Sequence, residues 1–428
     1  MGSYDVLRQI VEQIPWADGH SHVLHHDIEP AAWEGPYEVL PLARLLLDFN
    51  TRLIFIDTGL PEQKVTDILM GRVEPAEQKR LLLTCRGIWS RTVMRYLLRG
   101  LKDLYGVDVQ AITEENWDMV NEALTHSRDD FHGLLEQVFA KGGIKTSVLN
   151  LWAPRCYTYL TKRDHSREKD WFVFSTTVDY RSLMPFGPMI RTYAEQFGMP
   201  METLAEYEAL VEEICRWSVE EMGVRAFKNT EMYFRCLDYR VRTYEEAAPC
   251  YKPDPTDEER RIVSDYEAGI ICRMAAKFHV PIQIHTGSIW GDFVPDATSP
   301  EHLAAIIGAY PDTKFELLHG GDPFFGTTAL MGAGFPNVYV NMSSMPCHSI
   351  ENFEHWLSVY LDRIPSQKLI LGWDLFTPEI LCGAASYGRD MVARVLAGKV
   401  DAGLYSVELA EEIAKDIMYR NVERLFGR

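Results

Sequence analysis

Eight short apolar runs constrain this chain more than any other feature. Seven follow residue 143: Ile144–Leu151, Phe172–Val178, Val224–Phe227, Ile282–Ile284, Phe315–Leu318, Val338–Val340 and Leu369–Leu371. The eighth leads into His20. The runs are short and rich in β-branched and aromatic residues, and the stretches between them have helical spacing, which is the pattern of parallel β/α units. Among these stretches helices are expected over Leu204–Met222, Asp257–Phe278 (opening after Thr256), Pro300–Ala309 and Val407–Leu425. Eight units predict an α/β fold of the closed (β/α)8 TIM-barrel type. Residues 24–142 would then be a mostly helical lobe inserted after the first strand, because Ile88, Trp89, Val93, Tyr96 and Leu97, then Trp117, Val120 and Leu124, recur at helical spacing. One run in the lobe, Leu53–Asp57, reads as strand or helix equally well. With no internal repeat or low-complexity linker, residues 1–428 are expected to form a single barrel domain carrying that insertion.

Charge narrows the partners. The chain of 428 residues has 43 basic and 62 acidic side chains, a net charge of −19. That balance argues against nucleic acid and against an anionic membrane surface, both of which need a basic face. A small anionic substrate needs only one or two well-placed cations and fits. The 8 cysteines form no Cys-x-x-Cys pair, so neither a zinc knuckle nor a disulfide framework is indicated. There is no basic-then-apolar leader and no apolar run long enough to cross a bilayer, so a cytoplasmic protein is expected. A homo-oligomer is compatible with all of this.

Five of the eight runs stop at a chemically useful residue. The first ends with His20 and His22, the fourth with Lys228, the fifth with His285, the sixth with His319 and the eighth with Asp374. Alternate residues of a strand share a face, so both imidazoles of His20-Ser21-His22 point the same way. In a barrel, residues at the C-terminal strand ends line the catalytic mouth. Each residue taken alone has an ordinary explanation: a hydrogen-bonded histidine at a turn, a surface lysine, or Asp374 as a helix N-cap. The joint pattern favours a metal centre. Divalent ions such as zinc take imidazole nitrogen and carboxylate oxygen, and His20, His22, His285 and Asp374 supply such a shell with a position left for water.

The residues Ile14-Pro-Trp-Ala-Asp-Gly-His-Ser-His22, Ala226-Phe-Lys-Asn-Thr-Glu-Met-Tyr-Phe-Arg235, Pro281-Ile-Gln-Ile-His-Thr-Gly287, Leu317-Leu-His-Gly320 and Arg420-Asn-Val-Glu-Arg-Leu-Phe-Gly427 resemble the amidohydrolase superfamily. Within it the chain is most similar to the amidohydrolase-related group that includes FluG-like proteins, and more distantly similar to uronate isomerase. The resemblance implies that His20, His22, His285 and Asp374 bind metal and that Asp374 is also the catalytic base. It implies that His319 contacts substrate in members with one metal. Lys228 matches the position where two-metal members carry a carbamylated bridging lysine. One divalent ion, zinc before manganese, is expected here.

For hydrolysis of an amide, ester or lactone, Asp374 would relay a proton to the leaving group while His319 polarises the carbonyl. Lys228 and Arg235 are candidates for a substrate carboxylate, since arginine binds one bidentately, and Trp290 is a candidate pocket wall. A structural ion pair explains Arg235 equally well. Two other readings compete: decarboxylation or uronate isomerisation on the same site, and a barrel that binds without turnover. The complete ligand set argues against the last.

Overall fold

The computed structural model describes residues 2–23, 35–128, 130–151, 166–287 and 295–427. All eight runs are strands: β1 Trp16–Ser21, β2 Ile144–Leu151, β3 Phe172–Thr177, β4 Ala226–Asn229, β5 Ile282–His285, β6 Phe315–Leu318, β7 Val338–Asn341 and β8 Leu369–Ile370. They form one sheet in sequential order from β1 to β8, and neighbours from β2 to β8 pair in parallel. The backbone beyond β8 reaches β1. Asp374 N donates to His20 O and His22 N donates to Leu375 O, both at 2.8 Å. The sheet is thereby nearly closed into a (β/α)8 barrel.

Strand alternation decides what faces the interior. Phe227, Ile282, Ile284, Phe315, Leu317 and Val338 join the buried apolar cluster with the surrounding helices. Their neighbours Lys228, Gln283 and Glu316, equally buried, must point the other way.

By internal contacts the chain divides into two compact units. The first comprises Met1–Thr146, Pro346–Glu354 and Trp373–Ala414. Its hub is the helix Pro378–Asp401, which packs on Thr92–Tyr105, Ser3–Gln13 and Phe131–Gly142. Gly100 and Gly383 permit the closest of these approaches: a methyl at Gly100 would fall on the Glu379 carbonyl, and one at Gly383 on the Tyr96 carbonyl. Trp16 and Trp373 stack in the same unit, with ring centroids 5.2 Å apart. The ambiguous run is a helix, Arg52–Asp57, buried through Ile54 and Phe55 and closed by Thr58, whose hydroxyl donates to their carbonyl oxygens at 3.1 and 3.0 Å.

The second unit comprises Ser147–Met345, His355–Gly372 and Lys415–Arg428. Helices Leu204–Glu220 and Asp257–Phe278 each open on a capping box, Thr203 with Glu206 and Thr256 with Glu259. The expected continuous helix from Val407 to Leu425 is interrupted by a π-turn over Asp416–Arg420. Directly after it, the Asn421 amide donates to Ser366 O and Leu369 O at 2.7 and 2.6 Å and clamps the start of β8. Among the described residues no helix is long and apolar enough to cross a membrane.

Candidate metal centre

His20 and His22 lie at the end of β1, and Asp374 follows β8. Their donor atoms all fall within 4.8 Å of one another, and these three could hold a metal ion. His20 Nε2 is 3.6 Å and His22 Nε2 3.4 Å from the same oxygen, Asp374 Oδ1. These are long for hydrogen bonds. Two ligands about 2.1 Å from one ion at a tetrahedral angle lie about 3.4 Å apart, so each histidine–Asp374 separation is compatible with a shared ion.

Backbone conformation and hydrogen bonds fix the placement of Asp374. Asp374 has φ 59°, the left-handed region that non-glycine residues rarely occupy. Asn50 brackets it, donating to Asp374 O at 3.0 Å and accepting from Phe376 N at 3.0 Å. Asp18, fully buried, accepts from Trp373 N at 3.0 Å. Phe376 stacks on His22 with ring centroids 4.6 Å apart. Asn50 and Asp18 went unnoticed in the sequence, where each is one short polar residue among many.

In the second unit, His285 at the end of β5 and His319 after β6 are both buried and bonded to each other. His319 Nε2 lies 3.1 Å from His285 Nδ1, and Ser343 Oγ lies 3.2 Å from His319 Nδ1. Tyr233 OH makes a weaker 3.4 Å contact with the same His285 nitrogen. This chain has a tautomeric consequence. For His285 Nε2 to offer a lone pair, its Nδ1 must carry the proton and donate to His319 Nε2, and His319 Nδ1–H must then donate to Ser343. Ser343 and Tyr233 are the residues of this site that sequence reasoning missed. Removing the serine hydroxyl in Ser343→Ala is expected to lower turnover about 10- to 100-fold with little change in stability. Steady-state kinetics alongside a thermal melt would check it, and unchanged kinetics would rule out the relay.

Lys228, Gln283 and Glu316 stand in register across β4, β5 and β6. Ser175 donates to Gln283 at 2.7 Å and Asn341 to Glu316 at 2.7 Å, so the interior carries a polar belt. Burial pushes the Glu316 carboxyl up to about 7, against the opposing pull of its bonds from Asn341 and Gln283 and of the Lys228 charge. Because the folded form binds this proton more tightly than the unfolded chain, the contribution to stability is full below about pH 4.5. It is lost as pH rises through about 7. Glu316→Gln is therefore expected to flatten the fall in stability across that window, by up to about 3 kcal/mol. Urea unfolding at pH 5 and pH 8 is the measurement, and equal slopes in both proteins would refute it.

Arg235 is held by protein groups. It donates to Ser264 Oγ and Asp265 Oδ1, both at 2.7 Å, and to Cys236 O at 3.1 Å, and it lies over the Tyr239 ring. This is the structural ion-pair alternative, and the other candidate cation, Lys228, is buried in the belt. Trp290 lies outside the described residues.

The architecture is a nearly closed eight-stranded barrel in which a His-x-His pair and a strand-end aspartate could hold a metal ion. The amidohydrolase family model (Amidohydro_2) matches residues 203–428, more than half of the chain, and the chain belongs to that family. Protein FluG of Emericella nidulans is 32% identical over 148 residues, 34% of this chain, and the match spans only 17% of FluG. Two solved structures share the fold over nearly the whole chain. Uronate isomerase from Thermotoga maritima is 15% identical with a TM-score of 0.76, covering 99% of this chain and 97% of that one. Glucuronate isomerase from Caulobacter crescentus is 14% identical with a TM-score of 0.77, covering 99% and 94%.

Proposed function

We propose that the protein is a metal-dependent hydrolase that cleaves an amide, ester or lactone bond in a small, polar, carboxylate-bearing substrate. The observation that carries this reading is the donor spacing of His20, His22 and Asp374. His285 is the fourth ligand in this reading, one ion is bound per chain, and zinc is the first choice with manganese the second. The chain acts as a single barrel, residues 24–142 forming its inserted lobe.

A bound ion supplies Lewis acidity and brings the pKa of water toward neutrality. The side chains do the rest. Asp374 accepts the proton of the attacking water and returns it to the leaving group. Its strained backbone, braced by Asn50, fixes the direction in which the carboxylate acts. We assign His319 to orienting His285 through Nε2, in place of the carbonyl-polarising role expected from sequence, because the 3.1 Å bond engages that nitrogen. Lys228 takes the substrate carboxylate, and the Tyr233 hydroxyl, at the edge of His285, meets a neutral polar group of the substrate.

The second reading, isomerisation of a uronate with Asp374 as proton carrier, draws support from the fold likeness to two uronate isomerases, which extends over 99% of the chain. One experiment serves both. Protein dialysed against zinc is expected to retain about one ion per chain, and His22→Ala less than a tenth of that, with unchanged far-UV circular dichroism. The loaded protein would then be offered lactones, N-acyl amino acids and uronates. Turnover of the first two classes supports hydrolysis, and ketose formation supports the second reading. Retention of the ion by His22→Ala would remove the basis of both.

A further inference from the structure

A cavity lined by none of the residues above opens in the second unit between the loop after β3 and the start of the helix Asp257–Phe278. Its volume is about 180 Å³, below the range of drug-sized pockets, so an occupant must be small. Tyr180, Met184 and Phe186 come from one side, and Tyr251, Pro253 and Pro255 from the other.

The aromatic wall is preformed. Tyr251 is pinned by donating to Met201 O at 2.6 Å and by contact with the Tyr207 ring at 5.2 Å. Phe186 adopts φ 60°, in the left-handed region that a residue with a side chain rarely occupies. In that conformation its ring lies against Tyr251, centroids 5.0 Å apart. Strain that the surroundings maintain is typical of ligand clamps.

Two polar groups of the lining are uncommitted. Arg260 has one long contact, 3.4 Å from Nε to the fully exposed Asp257, and its terminal nitrogens have no protein partner among the described residues. The Tyr180 hydroxyl likewise has none, while its backbone N–H donates to Glu231 Oε1 at 2.9 Å. Burial and the nearby Glu267 and Glu231 raise the Tyr180 phenol well above its ordinary value, so it stays a neutral donor. The other cation of the lining, Lys252, is already paired with Glu259 at 2.7 Å.

We propose that this cavity is a second binding site, independent of the metal centre, for a small aromatic or heteroaromatic carboxylate. The ring of the ligand lies against Phe186 and Tyr251, and its carboxylate meets Arg260 and the Tyr180 hydroxyl. Glu231, bonded to the Tyr180 backbone, is two residues from Tyr233, whose hydroxyl touches His285. An occupant therefore rests one hydrogen bond from the loop that edges the candidate site.

The test is calorimetric titration of the full chain with benzoate, phenylacetate and 2-naphthoate, with benzamide as the uncharged control. At least one acid is expected to bind one-to-one with a submillimolar Kd, and benzamide about tenfold more weakly or worse. Arg260→Gln, at an exposed position, is expected to weaken the acid about tenfold, and Tyr180→Phe about threefold. His22→Ala should leave the affinity unchanged, so failure of the metal reading would not touch this result. No binding of any of the three acids up to about 10 mM would overturn the proposal. So would binding that survives Arg260→Gln intact or disappears in His22→Ala, the latter marking the metal centre as the true site.

Discussion

Asp374→Asn is expected to lower turnover about 10³-fold or more at saturating metal. Asparagine is the informative replacement, because it tolerates the left-handed backbone that Asp374 adopts at φ 59° and keeps the shape of the carboxylate. The hydrogen bonds from Asp374 N to His20 O and from Asn50 to Asp374 O involve backbone atoms of residue 374 and should persist. What is lost is the charged oxygen that faces both imidazoles. Turnover, bound metal and the pH profile should be measured together. A variant that binds metal, melts like the parent and turns over within about tenfold of it would show that Asp374 does not carry the proton.

Gly383→Val is expected to destabilise the protein by more than about 4 kcal/mol, or to prevent its folding altogether. The helix Pro378–Asp401 passes so close to Thr92–Tyr105 that a side chain at Gly383 would collide with the Tyr96 carbonyl, and backbone cannot yield as a flexible side chain can. The control is in the same helix. Gly398 has no atom within 4 Å of where a Cβ would stand, so Gly398→Ala should be neutral or stabilising by about 0.5–1 kcal/mol. Urea denaturation of both variants gives the comparison. Equal midpoints would mean that the two helices are not held at this distance in solution.

Much of the fold was legible because its signals are local. Each strand announces itself within three to eight residues, as an apolar run too short for a helix and bounded by turn residues, and β6 occupies the predicted span Phe315–Leu318 without adjustment. The start of the helix at Asp257 was legible because Thr256 and Glu259 form a reciprocal cap within one turn. Leu53–Asp57 was not, since a short apolar run suits a strand or a buried helix until something packs against it. The break at Asp416–Arg420 was hidden as well, and so was the grip of the following Asn421 on carbonyls 52 and 55 residues away.

The candidate site divides along the same line. That His20 and His22 share a face follows from the two-residue strand period alone, and their rings do stand together, centroids 4.9 Å apart. The bracing of Asp374 by Asn50 could not be foreseen, since it joins positions 324 residues apart. Nor could the link of Ser343 to His319, or the diversion of Arg235 to Ser264 and Asp265, 29 and 30 residues further on. The sequence by itself determined the number of strands, their order and which chemical groups stand at their ends, because strand period, run length and turn chemistry depend on near neighbours. Only the tertiary structure decided which of those groups are oriented, strained or neutralised, because a hydrogen-bond partner is chosen by proximity in space, and folding alone creates that proximity.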